Sequence, residues 1–153
     1  MPLQASPTDL LLAGGALLLA LGVGTVAHEF AHALVLRALG VPVDVRWLPD
    51  RGDSGPATAG FAGRWATVTP RRLPADLPPR GLRLAALAPL AMATPMALVL
   101  LGVLPDPVAT GNLPLIAATI AWFACALPSP QDFSLAWHAE AARAAGSRAD
   151  LRR

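Results

Sequence analysis

Lysine is missing from this chain: all twelve basic residues among its 153 are arginine. Alanine is abundant as well, and together these point to a GC-rich genome rather than to any function. Charge of either sign is scarce. Charged residues make up 14 % of the chain, against about 25 % in ordinary soluble domains, which argues against a soluble fold. Aromatic residues amount to 5 % and the net charge is only +2, so the basic pI does not indicate a nucleic-acid partner. Cys125 is the lone cysteine, which excludes an intrachain disulfide. The N-terminus lacks the basic stretch of a signal peptide, and its apolar run is too long for one. No internal repeat is visible, and the length predicts one domain over residues 1–153.

What is present is apolar and comes in runs. Leu10 to Ala27 carries no charge, and apolar character resumes from Phe30 to Leu36. As a helix this segment covers about 40 Å, more than the roughly 30 Å hydrocarbon core of a bilayer. Gly40 is placed to cap it and Pro42 to stop it. A second uncharged run extends from Leu84 to Pro105, with Pro89 and Pro95 inside it, where prolines free carbonyls and bend a spanning helix. The third runs from Pro107 to Gln131, and its helix is expected to end at Leu127, before Pro128 and Pro130. These patterns predict a mainly α, integral-membrane fold with transmembrane helices at about 9–39, 83–104 and 113–127. A short amphipathic helix is expected at about 131–145.

Arginine placement predicts orientation. Arg46, Arg51, Arg64, Arg71, Arg72, Arg80 and Arg83 lie between the first two runs, and Arg143, Arg148, Arg152 and Arg153 lie in the tail. The N-terminus and the 105–113 turn have none. Three passes put the loop and the tail on one side, and the positive-inside rule makes that side cytoplasmic. The N-terminus is then outside and the C-terminus cytoplasmic, in the cell membrane.

Residues 41–80 are not simple coil. Val43, Val45 and Trp47 alternate with Asp44 and Arg46, as in a strand. Arg51 to Pro56 reads as a turn, its Arg-Gly-Asp triplet included. Phe61, Gly63, Trp65 and Thr67 alternate with Ala62, Arg64, Ala66 and Val68, which predicts a second strand. The expectation is a small β-hairpin at the cytoplasmic membrane surface, with Trp47 and Trp65 near the headgroups.

The chemistry concentrates in His28-Glu29-Phe30-Ala31-His32, an HExxH motif. Residues i and i+4 share one face of a helix, so both imidazoles can reach one zinc ion at about 2.0–2.1 Å. Zinc lowers the pKa of a bound water toward about 7, and Glu29 is placed to act as the catalytic base toward it. Glu29 is also the only acid between Asp9 and Asp44. An ionisable group inside the bilayer costs about 2.5–3.5 kcal/mol on insertion scales and is functional by default. The competing account is an incidental polar cluster between packed helices.

A catalytic zinc needs a third protein ligand. Asp132 is favoured, because three passes return it to the membrane face that holds His28 and His32. The alternative role for Asp132 is the N-cap of a following helix, and both roles could coexist. His138 and Glu140 are rival ligands on the same C-terminal segment. Cys125, Met92 and Met96 read as packing residues.

A membrane-embedded HExxH, here within Val26 to Ala33, followed two passes later by a Pro-rich turn and an Asp, here Leu127-Pro128-Ser129-Pro130-Gln131-Asp132, resembles the site-2 protease family of intramembrane zinc metalloproteases. The likeness covers nearly the whole chain and implies a three-helix catalytic core with Asp132 as third ligand. It also implies extended strands that pair with an unwound substrate, a part that region 41–68 resembles. Phe123-Ala124-Cys125-Ala126 and Phe133 stand where the family usually has an Asn and a Gly, so the resemblance is to a minimal, divergent member.

The function expected is hydrolysis of peptide bonds in or near the membrane segment of a protein substrate. An edge near Phe61, Gly63 and Trp65 would accept the unwound strand, and water would reach His28 from the cytoplasmic side, about 13 Å along the helix from Arg37. Partners expected are a membrane-protein substrate, the lipid bilayer, and a second copy or accessory membrane protein that shields a wet site. The alternative is a catalytically inactive zinc-binding scaffold or regulator. A metal transporter ranks lower, because transporters spread polar ligands over several helices and the second run offers only Thr94.

Overall fold

A computed structural model describes residues 5–47, 66–70, 74 and 77–150. The chain is mainly helical, and three helical stretches are long and apolar enough to cross a membrane: Pro7–Ala38, Pro79–Leu100 and Leu113–Trp137. Large apolar side chains on the first of them, including Leu11, Leu18, Leu19 and Leu34, are mostly exposed. A protein surrounded by water rarely exposes so large a contiguous apolar surface.

The first stretch is one helix, α1 (Pro7–Ala38). It ends where the sequence predicts. Gly40 has a φ of 73°, its N–H donates to the Arg37 carbonyl, and the Val41 N–H donates to Leu36. This Schellman pairing needs a left-handed residue, which glycine supplies without a Cβ penalty. Val41 is almost fully buried and packs with Leu36 in the same apolar cluster, the contact that usually accompanies the motif.

After α1 come two short strands, β1 (Val43–Trp47) and β2 (Ala66–Pro70). They pair antiparallel, with Val45 opposite Val68 and Trp47 opposite Ala66. The described residues of the second strand overlap the 61–68 alternation at Ala66–Val68 and run on to Pro70. Phe61, Gly63, Trp65 and the turn at 51–56 lie outside the described residues.

The second stretch is composite. It contains α2 (Pro79–Leu87), a tighter 3-10 segment (Ala88–Ala93) and α3 (Thr94–Leu100). Pro79 and the Pro89–Pro95 pair explain this layout. Proline suits the first helical turn, whereas inside a helix it removes a donor and crowds the preceding turn. The stretch starts at 79 rather than 83, and it ends at 100 rather than 104. Gly102, with a φ of 70°, takes the same capping role as Gly40: its N–H donates to Val99, and the Val103 N–H donates to Leu98.

The third stretch joins α4 (Leu113–Ala126) and α5 (Pro130–Trp137), and α6 (Ala139–Asp150) follows. Asn112 caps α4 by accepting the Leu115 N–H at 3.0 Å. The single helix expected at 131–145 is instead two, broken at His138, which closes α5 with its N–H on the Ser134 carbonyl.

The chain divides into two compact units. One comprises Met1–Thr25 with Pro89–Leu127, the other Val26–Ala88 with Pro128–Arg153. In the first, α1 and α4 approach closely at Gly24, where an added Cβ would lie 2.8 Å from Cys125 Sγ. Small residues permit this kind of approach between membrane helices. Cys125 thus fills space against Gly24, in keeping with a packing role. The Met92 carbonyl lacks its 3-10 donor because residue 95 is proline, and it accepts the Trp122 Nε1–H at 2.9 Å instead. In the second unit, α2 packs against α5 and α6. Its core joins Leu36, Val41, Leu77, Leu82, Ala85 and Ala139, with Val35, Leu39 and Val43 against it.

Candidate metal centre

Three side chains of the second unit converge. His28 and His32 lie one turn apart on α1, and Asp132 lies in the first turn of α5. Their side chains are 12 %, 12 % and 15 % exposed, so they are sheltered yet reachable. His28 Nε2 is 3.1 Å from His32 Nε2. Asp132 Oδ2 is 3.3 Å from His28 Nε2, and Asp132 Oδ1 is 3.2 Å from His32 Nε2. The two rings meet edge to face at 79°, so they converge through their Nε2 atoms rather than by stacking.

Each member is held by the local fold. Helical periodicity sets the two histidines on one face. The His32 Nδ1 is 2.7 Å from the Ala85 carbonyl oxygen on α2. A carbonyl can only accept, so Nδ1 carries a proton, and in the neutral ring the lone pair lies at Nε2. Asp132 is fixed by a capping box. The Ser129 N–H donates to Asp132 Oδ2 at 2.7 Å, and the Asp132 N–H donates to Ser129 Oγ at 3.2 Å. Two backbone donors that α5 would otherwise leave unsatisfied are met in this way.

The roles differ from the sequence reading in one respect. Asp132 is not the N-cap: Ser129 is, and Asp132 is its reciprocal partner three residues on. The capping function and the approach to the histidines therefore do coexist. The side-chain chemistry of Ser129 does not mark it as part of the site, although its spacing from Asp132 carries the signal of a capping box.

The rivals lie elsewhere. His138 is exposed at the end of α5. Glu140 is exposed and pairs with Arg83 at 3.2 Å. Neither belongs to the cluster found among the described residues. Glu29 is half-buried and lies between the two histidines in the sequence.

The cluster is rich in acceptors. A carboxylate has lone pairs only, and a neutral His32 presents another at Nε2. Facing one another at 3.1–3.3 Å, these groups need a proton or a cation among them. Ligands at about 2.0–2.1 Å around a tetrahedral zinc stand roughly 3.3 Å apart. The donor set and its spacing therefore suit a metal ion such as zinc, which these three side chains could hold.

A scan against protein-family models finds no match, and neither curated proteins nor solved structures match the chain.

Proposed function

We propose that this chain is an integral-membrane zinc metalloprotease of the site-2 protease type, cleaving peptide bonds in or near the membrane segments of protein substrates. The observation that carries this reading is the approach of Asp132 to His28 and His32 within 3.3 Å, on helices long and apolar enough to cross a bilayer. An HExxH pair with a distant carboxylate is the ligand pattern of catalytic rather than structural zinc.

His28 Nε2, His32 Nε2 and the Asp132 carboxylate would hold the ion. When bound, zinc supplies Lewis acidity that polarises a peptide carbonyl and makes water a competent nucleophile near neutral pH. Glu29, on the same helix, takes the proton of the attacking water and delivers it to the leaving amine nitrogen. The Ala85 carbonyl and the Ser129 N–H keep His32 and Asp132 in register during the reaction, the part that supporting hydrogen bonds play around metal ligands. A substrate helix must unwind to expose its scissile carbonyl. The β1–β2 sheet offers an edge to which the unwound segment adds as a strand, and Phe61, Gly63 and Trp65, just before β2, would contact it.

Arginine distribution supports an orientation with the N-terminus outside and the β1–β2 sheet, α6 and the C-terminus cytoplasmic. The zinc centre then opens toward the cytoplasm.

The test uses purified protein in lipid vesicles with a model single-span substrate, comparing wild type with Glu29→Gln. Wild type should bind zinc and cleave, and Glu29→Gln should bind zinc and not cleave. Cleavage retained by Glu29→Gln contradicts the role of the base. Zinc bound without cleavage by wild type points to the inactive scaffold instead.

A further inference from the structure

We propose that Pro89 is a positioning residue for His32, acting by withholding a backbone donor from the Ala85 carbonyl. The inference rests on the reading of His32 as a metal ligand for its consequence, but not for its geometry.

In an α-helix the carbonyl of residue i accepts the N–H of residue i+4. For Ala85 that residue is Pro89, which has no N–H. The Ala88 N–H turns to the Ala85 carbonyl instead, in the tighter 3-10 pattern. A carbonyl oxygen has two lone pairs, so one stays open. Ala85 is only 3 % exposed, which leaves little access for water, and buried carbonyls are nearly always paired. His32 Nδ1 takes the open position at 2.7 Å.

The pairing fixes two properties of the ring at once. It selects the tautomer protonated at Nδ1, and it sets the ring so that the Nε2 lone pair faces His28 Nε2 and the Asp132 carboxylate. An ordinary residue at 89 would bring a third donor to an acceptor with two lone pairs. The His32 bond would then weaken, and the ring could turn over and exchange its two nitrogens. A proline four residues after the acceptor therefore does the work that a side-chain carboxylate does in many metal sites.

The same stretch contains a control. Pro95 likewise withholds a donor, and the Met92 carbonyl it leaves open is met by Trp122 Nε1. Substituting Pro95 restores a donor to the same helical stretch without touching the acceptor of His32.

The test compares wild type, Pro89→Ala, Pro89→Val and Pro95→Ala as full-length protein in detergent micelles. Pro89→Val keeps bulk at a side chain that is fully buried, so a fault due only to lost packing would separate the two variants at 89. Nitrogen-15 NMR of the metal-free protein at mildly alkaline pH reads the His32 tautomer, with the resonance assigned by its loss in His32→Ala. Zinc affinity is measured by competition with a chelating dye. Wild type and Pro95→Ala should show the Nδ1-protonated form and equal affinity. Both variants at 89 should show a mixture of tautomers and an affinity lower by about 10–100-fold, the usual range for losing a ligand-supporting hydrogen bond. An unchanged His32 spectrum in both variants at 89 overturns the proposal, as does an equal change in Pro95→Ala. If wild type binds no zinc while the spectra behave as described, the positioning stands and the metal reading fails.

Discussion

The same four-residue pattern starts two helices. Ser6-Pro7-Thr8-Asp9 opens α1, and Ser129-Pro130-Gln131-Asp132 opens α5. In both, the Asp N–H donates to the Ser hydroxyl oxygen, at 3.1 Å and 3.2 Å. In both, the Ser N–H donates to an Asp carboxylate oxygen, at 3.0 Å and 2.7 Å. Proline occupies the first helical position each time, where its missing donor is no loss. The local chemistry is thus the same, and the surroundings are not. Asp9 is exposed, and its Oδ2 also accepts the Ser6 hydroxyl at 2.7 Å. Asp132 is half-buried and turns both oxygens toward imidazoles. A capping box is therefore a scaffold that can hold a carboxylate still. Whether the carboxylate has a second task depends on what the fold brings opposite it.

The largest effect is expected from separating the two aspartates. Asp132→Ala should lower zinc affinity by more than about 100-fold, beyond the range of ligand-supporting groups. Asp9→Ala should leave it unchanged, and competition with a chelating dye measures both. Equal effects would erase the distinction between the caps.

A smaller effect is expected from moving the carboxylate without removing it. Asp132→Glu keeps a residue that suits this capping position but shifts its oxygens by one methylene. Metal sites hold their ligands to within about 0.5 Å, so affinity should fall on the order of 10-fold with little change in thermal stability. Full affinity in Asp132→Glu would mean that the box does not set the geometry.

The serines give the smallest changes. Ser129→Ala removes one of the two capping bonds and should cost about 1 kcal/mol of stability. Zinc affinity should drop by no more than about 10-fold, because the Ser129 N–H still holds Oδ2. Ser6→Ala should leave zinc binding untouched, and its effect should be confined to fraying of the first turn of α1, read by amide hydrogen exchange. A Ser6→Ala protein with impaired zinc binding would show that the first cap is not merely local.

Features set by near neighbours in sequence were the legible ones. Three apolar runs give three long helices, apolar enough to cross a membrane, because that property is written in composition over about twenty residues. His28 and His32 are readable because one helical turn joins them. Helix ends were harder. Val103 and Leu104 continue the apolar run past α3, and the stop lies in Gly102, a backbone signal that hydropathy does not register. Arg80 and Arg83 hid the start of α2, although Pro79 marks it. The break at His138 has no proline or glycine to announce it. At the site, the alternative role of Asp132 as an N-cap is off by three residues, because Asp is itself a favoured N-cap whereas Ser129 holds that position. The Ala85 carbonyl has no side-chain signature. Only Pro89, four residues later, hints that an acceptor is open there.

X-ray absorption at the zinc edge tests the central claim most directly, using wild-type protein loaded with one equivalent of zinc in lipid. Two imidazole nitrogens and a carboxylate oxygen should scatter at about 2.0–2.1 Å, and His32→Ala should lose one imidazole from the pattern. Sulfur at about 2.3 Å, or a shell without imidazole, would contradict the grouping of His28, His32 and Asp132 around one ion.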